Sequence, residues 1–489
     1  MTKTMNTKHD FPSTAQRAAE SIIQTEEDMS TTSVTPETPK APPLEKQTTV
    51  GNYFVSNYPP FSFWKPEFVP ELFAALERAP LGDQVSRITH YASRITTPLG
   101  IYVHIPFCRK RCHFCYFKVY TDKDSSEIKA YIDALLKELA IYAAKPFIGR
   151  RKPNFIYFGG GTPSYLSVDQ LKHLTGGMKS LLPWDEAEEV TFECEPGTLT
   201  DHKLKAIREM GVTRLSLGVE NFDDHILEIN GRAHHSKEIA RAYAFAREIG
   251  FPQINIDLIA GMVEETEANW RECVRKTIEL SPDSVTVYEM EIPYNTTIYQ
   301  RMKAEGKLVA PVADWNTKRA WVNYAFAELE KAGYTVASAY TAVKNKAKTK
   351  FVYRDKLWEG ADLLSAGVAS FGHIGGVHYQ NHADFAPYVA QIQEGKLPIY
   401  RALTPTDDER LIREFILQLK LGRLNLSYFQ NKFGVDPKKR FAEPLQRLKD
   451  WGFLTIEADQ VLLNREGLLQ VDRLLHEFFL PQHNTNRYA

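Results

Sequence analysis

Short apolar runs alternate with longer amphipathic stretches through the middle of the chain. The runs cover residues 99–105, 154–158, 189–194, 213–219, 253–258 and 284–288. Between them lie stretches with helical periodicity, such as residues 127–144 and 236–250. This alternation is typical of parallel strands joined by right-handed helical crossovers. Six such units over about 190 residues are too few for a closed eightfold barrel, so they predict a partial (β/α)6 barrel over residues 99–300.

The N-terminal part of the chain follows other patterns. Residues 1–48 are rich in Thr, Ser, Glu, Lys and Pro and carry few apolar side chains, so we expect a disordered tail there. From Tyr53 the composition turns aromatic, and an amphipathic stretch follows from Pro66 to Arg78. These features predict an ordered lid or cap over residues 49–98.

The C-terminal part is expected to add two further regions. Residues 301–400 are interpreted as an extension of the barrel. Residues 401–489 read as helices followed by a short hairpin and another helix, which predicts an α+β domain similar to a winged helix. Because acidic and basic residues are mixed in this region without a basic stripe, we expect no nucleic-acid partner.

Composition and charge are those of an ordinary globular protein. Hydrophobic residues make up 43% and charged residues 25%, and the formal net charge is -1. No apolar run approaches the roughly 18 residues that a membrane span needs, and the N-terminus lacks the apolar core of a signal peptide. We therefore expect a cytoplasmic protein. Five cysteines in 489 residues are too few for a disulfide framework.

Three of those cysteines form the motif CxxxCxxC, made by Cys108, Cys112 and Cys115 just after the first predicted strand. A fully ligated [4Fe-4S] cluster usually takes four thiolates, so three would leave one iron free to chelate S-adenosylmethionine (SAM). The alternative is a zinc site completed by His104 or His113, but zinc sites favour paired CxxC units. The motif therefore favours a [4Fe-4S] cluster.

Further polar residues and glycines follow the other predicted strands. Because strand ends carry the chemistry in barrels, these positions are candidates for ligand binding. They are Gly159, Gly160, Gly161, Thr162, Glu193, Glu195, Glu220, Asp257, Glu289 and Glu291. A basic loop from Lys344 to Lys350, with Arg354, is interpreted as a solvated loop or as a cationic rim for a polycarboxylate substrate.

The stretch from Tyr102 to Cys108, the CxxxCxxC spacing, the GGGTP turn and the C-terminal segment together resemble the oxygen-independent coproporphyrinogen III oxidase family of radical SAM proteins. The resemblance covers residues 53 to 480 and is most specific in the first half of the barrel. It implies a radical SAM barrel with these SAM-binding residues: Tyr102, Phe114, Gly160, Gly161, Thr162, Glu193, Glu220, Arg232 and Asp257.

The resemblance also implies a function and leaves alternatives open. In the oxidases an external donor reduces the cluster, a 5'-deoxyadenosyl radical forms from SAM, and propionate groups of a porphyrinogen are decarboxylated. Here Phe117 replaces a further cysteine of the oxidases, as in related haem chaperones, and Glu220 replaces a glutamine. The aromatic leader from Asn52 resembles the oxidases' lid. Methyltransferases and cyclopropane-forming relatives, which use two SAM molecules, remain alternatives, and so does a haem-binding chaperone.

Overall fold

The structure is a computed structural model that describes residues 51–79, 97–149, 151–307 and 311–484. The tail predicted over residues 1–48 lies outside these ranges. Within them, no helix combines the length and the apolar character that a membrane span requires. The described residues fall within one compact unit that begins at Leu44.

A twelve-stranded sheet forms the centre of the molecule. Its strand order is β12-β11-β10-β9-β1-β2-β3-β4-β5-β6-β8-β7, and β1 to β6 are parallel to one another. The strands are β1 Leu99–Ile105, β2 Phe155–Gly160, β3 Glu189–Cys194, β4 Arg214–Glu220, β5 Gln253–Ala260, β6 Ser284–Glu289, β7 Thr335–Val336, β8 Thr341–Val343, β9 Asp362–Ala366, β10 Phe371–Ile374, β11 Val377–Asn381 and β12 Ile399–Leu403.

Helices connect the parallel strands and cover the sheet. They are α1 Val69–Leu76, α2 Ser125–Ala143, α3 Val168–Leu181, α4 Asp201–Glu209, α5 Asp224–Ile229, α6 Ser236–Glu248, α7 Glu267–Leu280, α8 Thr297–Ala304, α9 Trp315–Lys331, α10 Val352–Trp358 and α11 Phe385–Gln393. Several begin at a residue that caps the free backbone N–H groups, as Asp124 does for α2.

The C-terminal region has its own small sheet, with strand order β13-β15-β14. Its elements are α12 Asp407–Leu419, β13 Arg423–Asn425, α13 Leu426–Phe433, α14 Pro437–Arg440, α15 Ala442–Asp450, β14 Leu454–Ile456, β15 Gln460–Leu463, α16 Arg465–Leu468 and α17 Val471–Leu475. The predicted hairpin is therefore β14 and β15, and β13 completes the sheet as an additional strand.

The predicted α/β fold with an open, partial barrel is confirmed. The predicted bounds of β1 and β3 coincide with the observed ones, and β2, β4, β5 and β6 end one or two residues later. The sheet is larger than the six predicted units, because β9 adds to the free edge of β1 in parallel orientation and β10 to β12 continue from it. At the other edge β8 pairs antiparallel with β6.

Alternation along the strands separates the core from the barrel interior. In β1, Ile101, Val103 and Ile105 have no exposed surface and belong to the main apolar core. Tyr102 and His104 point to the opposite side, into the interior of the curved sheet. The same alternation brings polar residues of the other parallel strands to the interior, where they meet at the carboxyl ends.

Candidate active site at the carboxyl ends of the strands

A cavity of about 380 Å³ lies at the carboxyl ends of the parallel strands. All but one of the residues that the sequence singled out for the cluster and for SAM line this cavity. They are Cys108, Cys112, Phe114, Cys115, Gly160, Gly161, Thr162, Glu193, Glu220, Arg232 and Asp257. Parallel strands bring these residues together because their carboxyl ends share one edge of the sheet.

The loop after β1 presents the three cysteines to the cavity. Cys108 N–H donates to Tyr120 O at 3.1 Å and Cys115 N–H donates to Cys112 O at 3.1 Å, which fix the fold of the loop. Thr162 Oγ1 donates to Cys108 Sγ at 3.2 Å. Arg232 Nη1 donates to Cys112 Sγ at 3.3 Å. Two of the three sulfur atoms therefore already accept hydrogen bonds of the kind that stabilise a thiolate.

The surroundings of the cysteines fit an iron-sulfur cluster. A Cβ atom at Gly161 would lie 3.0 Å from Cys108 Sγ and 2.9 Å from Ile105 O, so only glycine leaves room here. Burial raises the pKa of the Cys108 thiol to about 12 and that of Cys115 to about 11, and iron ligation would replace these protons.

The geometry disfavours the zinc alternative. In the described ranges no three His, Cys, Asp or Glu side chains converge on one metal-ion position, whereas a cubane spreads its thiolates over separate irons. His113 Nδ1 is hydrogen bonded to Ile229 O at 2.9 Å. His104 lies beneath Gly160, where a Cβ atom would meet its ring at 2.6 Å. Both histidines are thus held by other contacts.

Glu193 links the glycine turn to the barrel interior. Its Oε1 accepts from Tyr157 OH at 2.5 Å, and its Oε2 accepts from Gly160 N–H at 3.2 Å. Burial raises the pKa of Glu193 to about 7. Gly160 has a φ of 112°, a conformation that L side chains rarely adopt. The Glu193 carboxyl group therefore lies at the wall of the cavity. It is hydrogen bonded to the backbone of Gly160, whose conformation requires glycine.

Arg232 and two further acids form the opposite wall. Arg232 Nη2 donates to Gly218 O at 2.6 Å and lies 3.5 Å from Glu220 Oε1. Burial, and then the neighbouring charges of Asp257 and Glu193, raise the pKa of Glu220 to about 7 despite Arg232. Asp257 accepts from Ser216 Oγ at 2.9 Å. This wall can thus both donate to and accept from a polar ligand.

Tyr102 is the predicted SAM neighbour that does not line the cavity. Its hydroxyl shares a hydrogen bond of 3.1 Å with His104 Nδ1, and its ring stacks against Tyr157 with centroids 5.9 Å apart. It lies one layer deeper in the barrel, beneath Glu193. Phe114, by contrast, reaches the cavity and packs against an apolar cluster that includes Met290.

Glu195 binds a basic residue that the sequence analysis did not single out. Arg109, which follows the first cysteine, approaches both carboxylate oxygens at 3.0 and 3.2 Å. Burial opposes ionisation of Glu195, but the hydrogen bond from His234 and the charges of Arg232 and Arg109 outweigh it and lower the pKa to about 2. Glu195 therefore fixes the cysteine loop.

Glu289 and Glu291 hold the N-terminal segment over the cavity. Asn52 Nδ2 donates to Glu289 at 3.0 Å and Phe54 N–H donates to Glu291 at 2.8 Å. We call residues 52–55 the lid segment. On its other side Val55 N–H donates to Asp472 at 2.8 Å, and its carbonyl accepts from Lys420 at 2.6 Å. The two glutamates thus anchor the lid segment as well as lining the cavity.

Four exposed aromatic side chains form the mouth of the cavity. They are Phe54, Tyr116, Phe117 and Tyr288, which are between 42% and 46% exposed. We call them the aromatic rim. Apart from the aromatic leader and Phe117, the rim could not be predicted from the sequence, because Tyr116 and Tyr288 come from distant parts of the chain.

The basic loop from Lys344 to Lys350 does not line this cavity. Because β8 runs antiparallel to β6, the loop after Val343 starts at the amino end of β6, where Lys344 N–H donates to Asp283 O at 2.8 Å. The idea that this loop forms a cationic rim around the cavity is therefore wrong.

Known proteins share both regions of the chain. Residues 102–277 match the family model of the radical SAM superfamily, and residues 406–469 match the HemN C-terminal domain. The heme chaperone HemW of Bacillus subtilis is 29% identical over 370 residues, which cover 75% of this chain and 96% of that protein. The oxygen-independent coproporphyrinogen III oxidase of Synechocystis is 26% identical over 424 residues, which cover 83% of this chain and 86% of that protein.

A solved structure shows the same fold. The coproporphyrinogen III oxidase HemN of Escherichia coli, described as a radical SAM enzyme, superimposes with a TM-score of 0.74 at 24% identity, covering 88% of this chain and 99% of that one. The members of this family use a [4Fe-4S] cluster and SAM, which the cysteine loop and the cavity fit. The chain therefore carries a radical SAM region at residues 102–277 and a region similar to the HemN C-terminal domain at residues 406–469.

Proposed function

We propose that this chain is a radical SAM enzyme that decarboxylates propionate groups of a porphyrinogen. Its similarity to proteins named oxygen-independent coproporphyrinogen III oxidase supports the proposal. One observation carries the proposal. A single cavity joins the three cysteines, a set of carboxylates and the aromatic rim, so that cofactor and a flat substrate would share one space.

The cofactor end of the cavity is built from the residues already described. Cys108, Cys112 and Cys115 would hold the cluster, with Thr162 and Arg232 donating to two of their sulfur atoms. When bound, the reduced cluster supplies the electron that cleaves SAM, and SAM supplies the group that abstracts hydrogen from the substrate. An external reductant would deliver that electron.

Polar groups around the cysteines would bind SAM. Gly160 and Gly161 let the ligand approach the backbone closely, since a side chain at either position would collide with His104 or Cys108. Glu193, Glu220 and Asp257 offer carboxylate oxygens to amino and hydroxyl groups, and Arg232 offers a cation to a carboxylate. These residues orient the ligand and take no part in bond breaking.

The mouth of the cavity suits a flat macrocycle with acidic side chains. The aromatic rim offers ring faces for stacking. Next to it lie Arg109, Lys110 and Arg111, and Lys110 has no side-chain hydrogen bond or ion pair within the described part of the chain. A propionate group would find its cation there. The lid segment closes this side and limits the access of water.

A haem chaperone is the second candidate. Two observations favour it: the identity with HemW of Bacillus subtilis, and the place of Phe117, whose ring packs on Tyr116 with centroids 4.6 Å apart at the mouth. This aromatic pair would stack on a haem ring, and such binding requires no catalytic step. This candidate predicts stoichiometric haem binding without turnover.

The deciding experiment is anaerobic. The full chain is reconstituted with iron and sulfide, reduced with dithionite, and incubated with SAM in the presence and absence of coproporphyrinogen III. We expect tetrapyrrole-dependent 5'-deoxyadenosine and a product that has lost CO2, both detected by mass spectrometry. Cleavage of SAM with intact coproporphyrinogen would refute the decarboxylase, and methylated products with S-adenosylhomocysteine would identify a methyltransferase instead.

A further inference from the structure

A second cavity of about 290 Å³ opens at the amino ends of the parallel strands, at the end of the barrel opposite to the cysteines. Arg214, Gln253 and Ser284, the first residues of β4, β5 and β6, form its floor. Its basic lining residues are Arg214, Lys346, Lys350, Arg354 and Arg423, whereas its acidic lining residues are Asp355 and Glu359. The cavity therefore carries an excess of positive charge.

Arg214 is buried in this cavity and forms no close ion pair, although the carboxyl groups of Glu189 and Asp257 interact with its charge at longer range. Arg214 is 2% exposed, and its Nε atom has no hydrogen-bond partner among the residues that the structure describes. Over the described ranges no carboxylate lies within 4.0 Å of its guanidinium group. The acid at the start of the adjacent strand, Glu189, is occupied, because it accepts from Val352 N–H at 2.8 Å and from Tyr353 N–H at 3.2 Å. The charge of Arg214 is therefore only partly compensated, and burying such a cation is unfavourable unless a ligand or solvent compensates it further.

An aromatic ring holds two guanidinium groups toward the same space. The Cζ atom of Arg214 lies 4.1 Å from the centroid of Phe351, and that of Arg354 lies 5.6 Å from the same centroid. Arg354 is paired with Asp355 through Nη2 at 2.7 Å, and its Nη1 donates to Ser338 at 3.3 Å. Stacking on an aromatic ring fixes the orientation of a guanidinium group. The edge of Arg354 already donates to Asp355 and Ser338, whereas Arg214 keeps its edge available for a ligand.

Three further cations line the cavity, namely Lys346, Lys350 and Arg423. The side chains of Lys350 and Arg423 form no hydrogen bond or ion pair with any residue that the structure describes. Gln253 adds an amide group, whose Nε2 donates to Lys350 O at 2.9 Å. The cavity thus offers one buried and several exposed cationic groups on three sides of a small space.

We propose that this second cavity is a binding site for a small anion that bears phosphate or carboxylate groups, with Arg214 as its buried anchor and Arg354, Lys350 and Arg423 around it. Guanidinium groups pair with such oxyanions through two parallel hydrogen bonds, which is the geometry that an unpaired, oriented guanidinium offers. The site is separate from the proposed SAM site, because the two cavities share no lining residue.

Calorimetry on the full chain with its cluster tests the proposal. The probes are pyrophosphate and tricarballylate, which separate a phosphate from a carboxylate ligand, and titrations are repeated with saturating SAM. We expect one site for at least one probe, unaffected by SAM. Arg214→Gln should weaken binding by about tenfold or more, the loss expected for one charged hydrogen-bonding partner. Arg208→Gln, on a nearby helix, is the matched control and should bind as the wild type does.

The outcomes that overturn the proposal are distinct from those that concern the proposed function. Absence of binding for both probes, displacement of the probe by SAM, or unchanged affinity in Arg214→Gln would each refute it. Should Arg214→Gln fail to fold, Lys350→Gln and Arg423→Gln carry the test, because both side chains are exposed and each should still weaken binding. None of these measurements involves a tetrapyrrole.

Discussion

Arg232 donates a hydrogen bond from Nη1 to Cys112 Sγ at 3.3 Å, although the two residues are 120 positions apart in the chain. Hydrogen bonds to cluster sulfurs stabilise the reduced, more negative state and raise the reduction potential. Arg232→Gln should therefore keep its iron and show a lower potential, on the order of 60 mV if the difference in stabilisation is about 1.4 kcal/mol. The reduction potential is measured by a redox titration that is monitored by electron paramagnetic resonance.

Arg208→Gln provides the control for that change, because Arg208 lies on the surface of α4 and donates to Gly250 O at 3.2 Å. Its potential should equal that of the wild type. An unchanged potential in Arg232→Gln would show that the hydrogen bond to Cys112 does not persist once the cluster is in place.

Cys112→Ala should abolish cluster assembly, because only two of the three thiolates would remain to hold the cubane. The measurement is the iron and sulfide content of the reconstituted protein. Cys273→Ala is the matched control: Cys273 is 1% exposed and packs within α7, so this variant should keep its cluster. Equal iron content in both variants would show that this loop does not hold the cluster.

The ion pair between Lys420 and Asp472 should be essential for the lid segment. Both side chains are buried, their charged atoms are 2.7 Å apart, and both bond to the backbone of Val55. Lys420→Met leaves a buried carboxylate without its cation and should cost about 3–5 kcal/mol in the free energy of unfolding. Urea unfolding measures the loss.

The double variant Lys420→Met with Asp472→Leu separates stability from anchoring. It should recover much of the lost stability, because neither charge is left unpaired. It should nevertheless be cleaved faster than the wild type near residue 55 in limited proteolysis. Lys396→Met, which breaks an exposed pair with Glu394, should change neither property. If the double variant resists proteolysis as the wild type does, other contacts hold the lid segment.

Phe54 should contribute to tetrapyrrole binding and not to SAM binding. Its ring is 42% exposed at the mouth of the cavity. Phe54→Ala should raise the dissociation constant for coproporphyrin III by about 2- to 13-fold, the equivalent of about 0.5–1.5 kcal/mol of aromatic contact. Fluorescence titration measures it. Phe73→Ala, equally exposed on α1 and away from the cavity, should leave the constant unchanged.

Glu138 should give the stability of the protein a pH dependence near neutrality. This fully buried carboxyl accepts from Gly367 N–H, Asn381 and Tyr388, and burial raises its pKa from 4.5 to about 7. Since the folded state holds the proton more tightly, the contribution is fully present below about pH 4.5 and is lost as the pH rises through about 7, a change of about 3 kcal/mol.

Glu138→Gln should reduce that slope in urea unfolding measured between pH 5 and 8 by the contribution of one carboxyl group, because Glu193 and Glu220 keep their raised pKa values. Glu394→Gln, at an exposed position, should keep it. A variant at Glu138 that follows the wild-type profile would mean that this carboxyl is already ionised throughout the range.

The sequence predicts the parallel strands and the cluster cysteines well because both signals are local. Alternating apolar runs mark β1 and β3 to the residue, and Cys108, Cys112 and Cys115 lie within one loop. The strands that extend the sheet beyond β1 could not be foreseen in the same way. β9 has five residues, and it pairs Asp362 with Leu99, so the pairing depends on a contact across most of the chain.

The residues in and around the cavity show the same limit of prediction from sequence. Glu193 and Asp257 stand at strand ends and could be singled out, but Arg109 becomes informative only once β3 brings Glu195 to it. Tyr102 lies next to the motif in sequence and still misses the cavity, because it precedes His104 by two residues on β1 and so lies one layer below the strand ends where the cavity opens. The domain boundaries and the roles of the site residues stay predictions.

The anchoring of Val55 by Asp472 spans 417 positions of the chain. During synthesis from the N-terminus, the strands that carry the cysteines emerge long before α17 does, so the barrel can form while its mouth still lacks one wall. Iron, sulfide and SAM would therefore meet an accessible cysteine loop in the unfinished protein. Asp472, which completes the anchoring of the lid segment, leaves the ribosome long after the cysteine loop does.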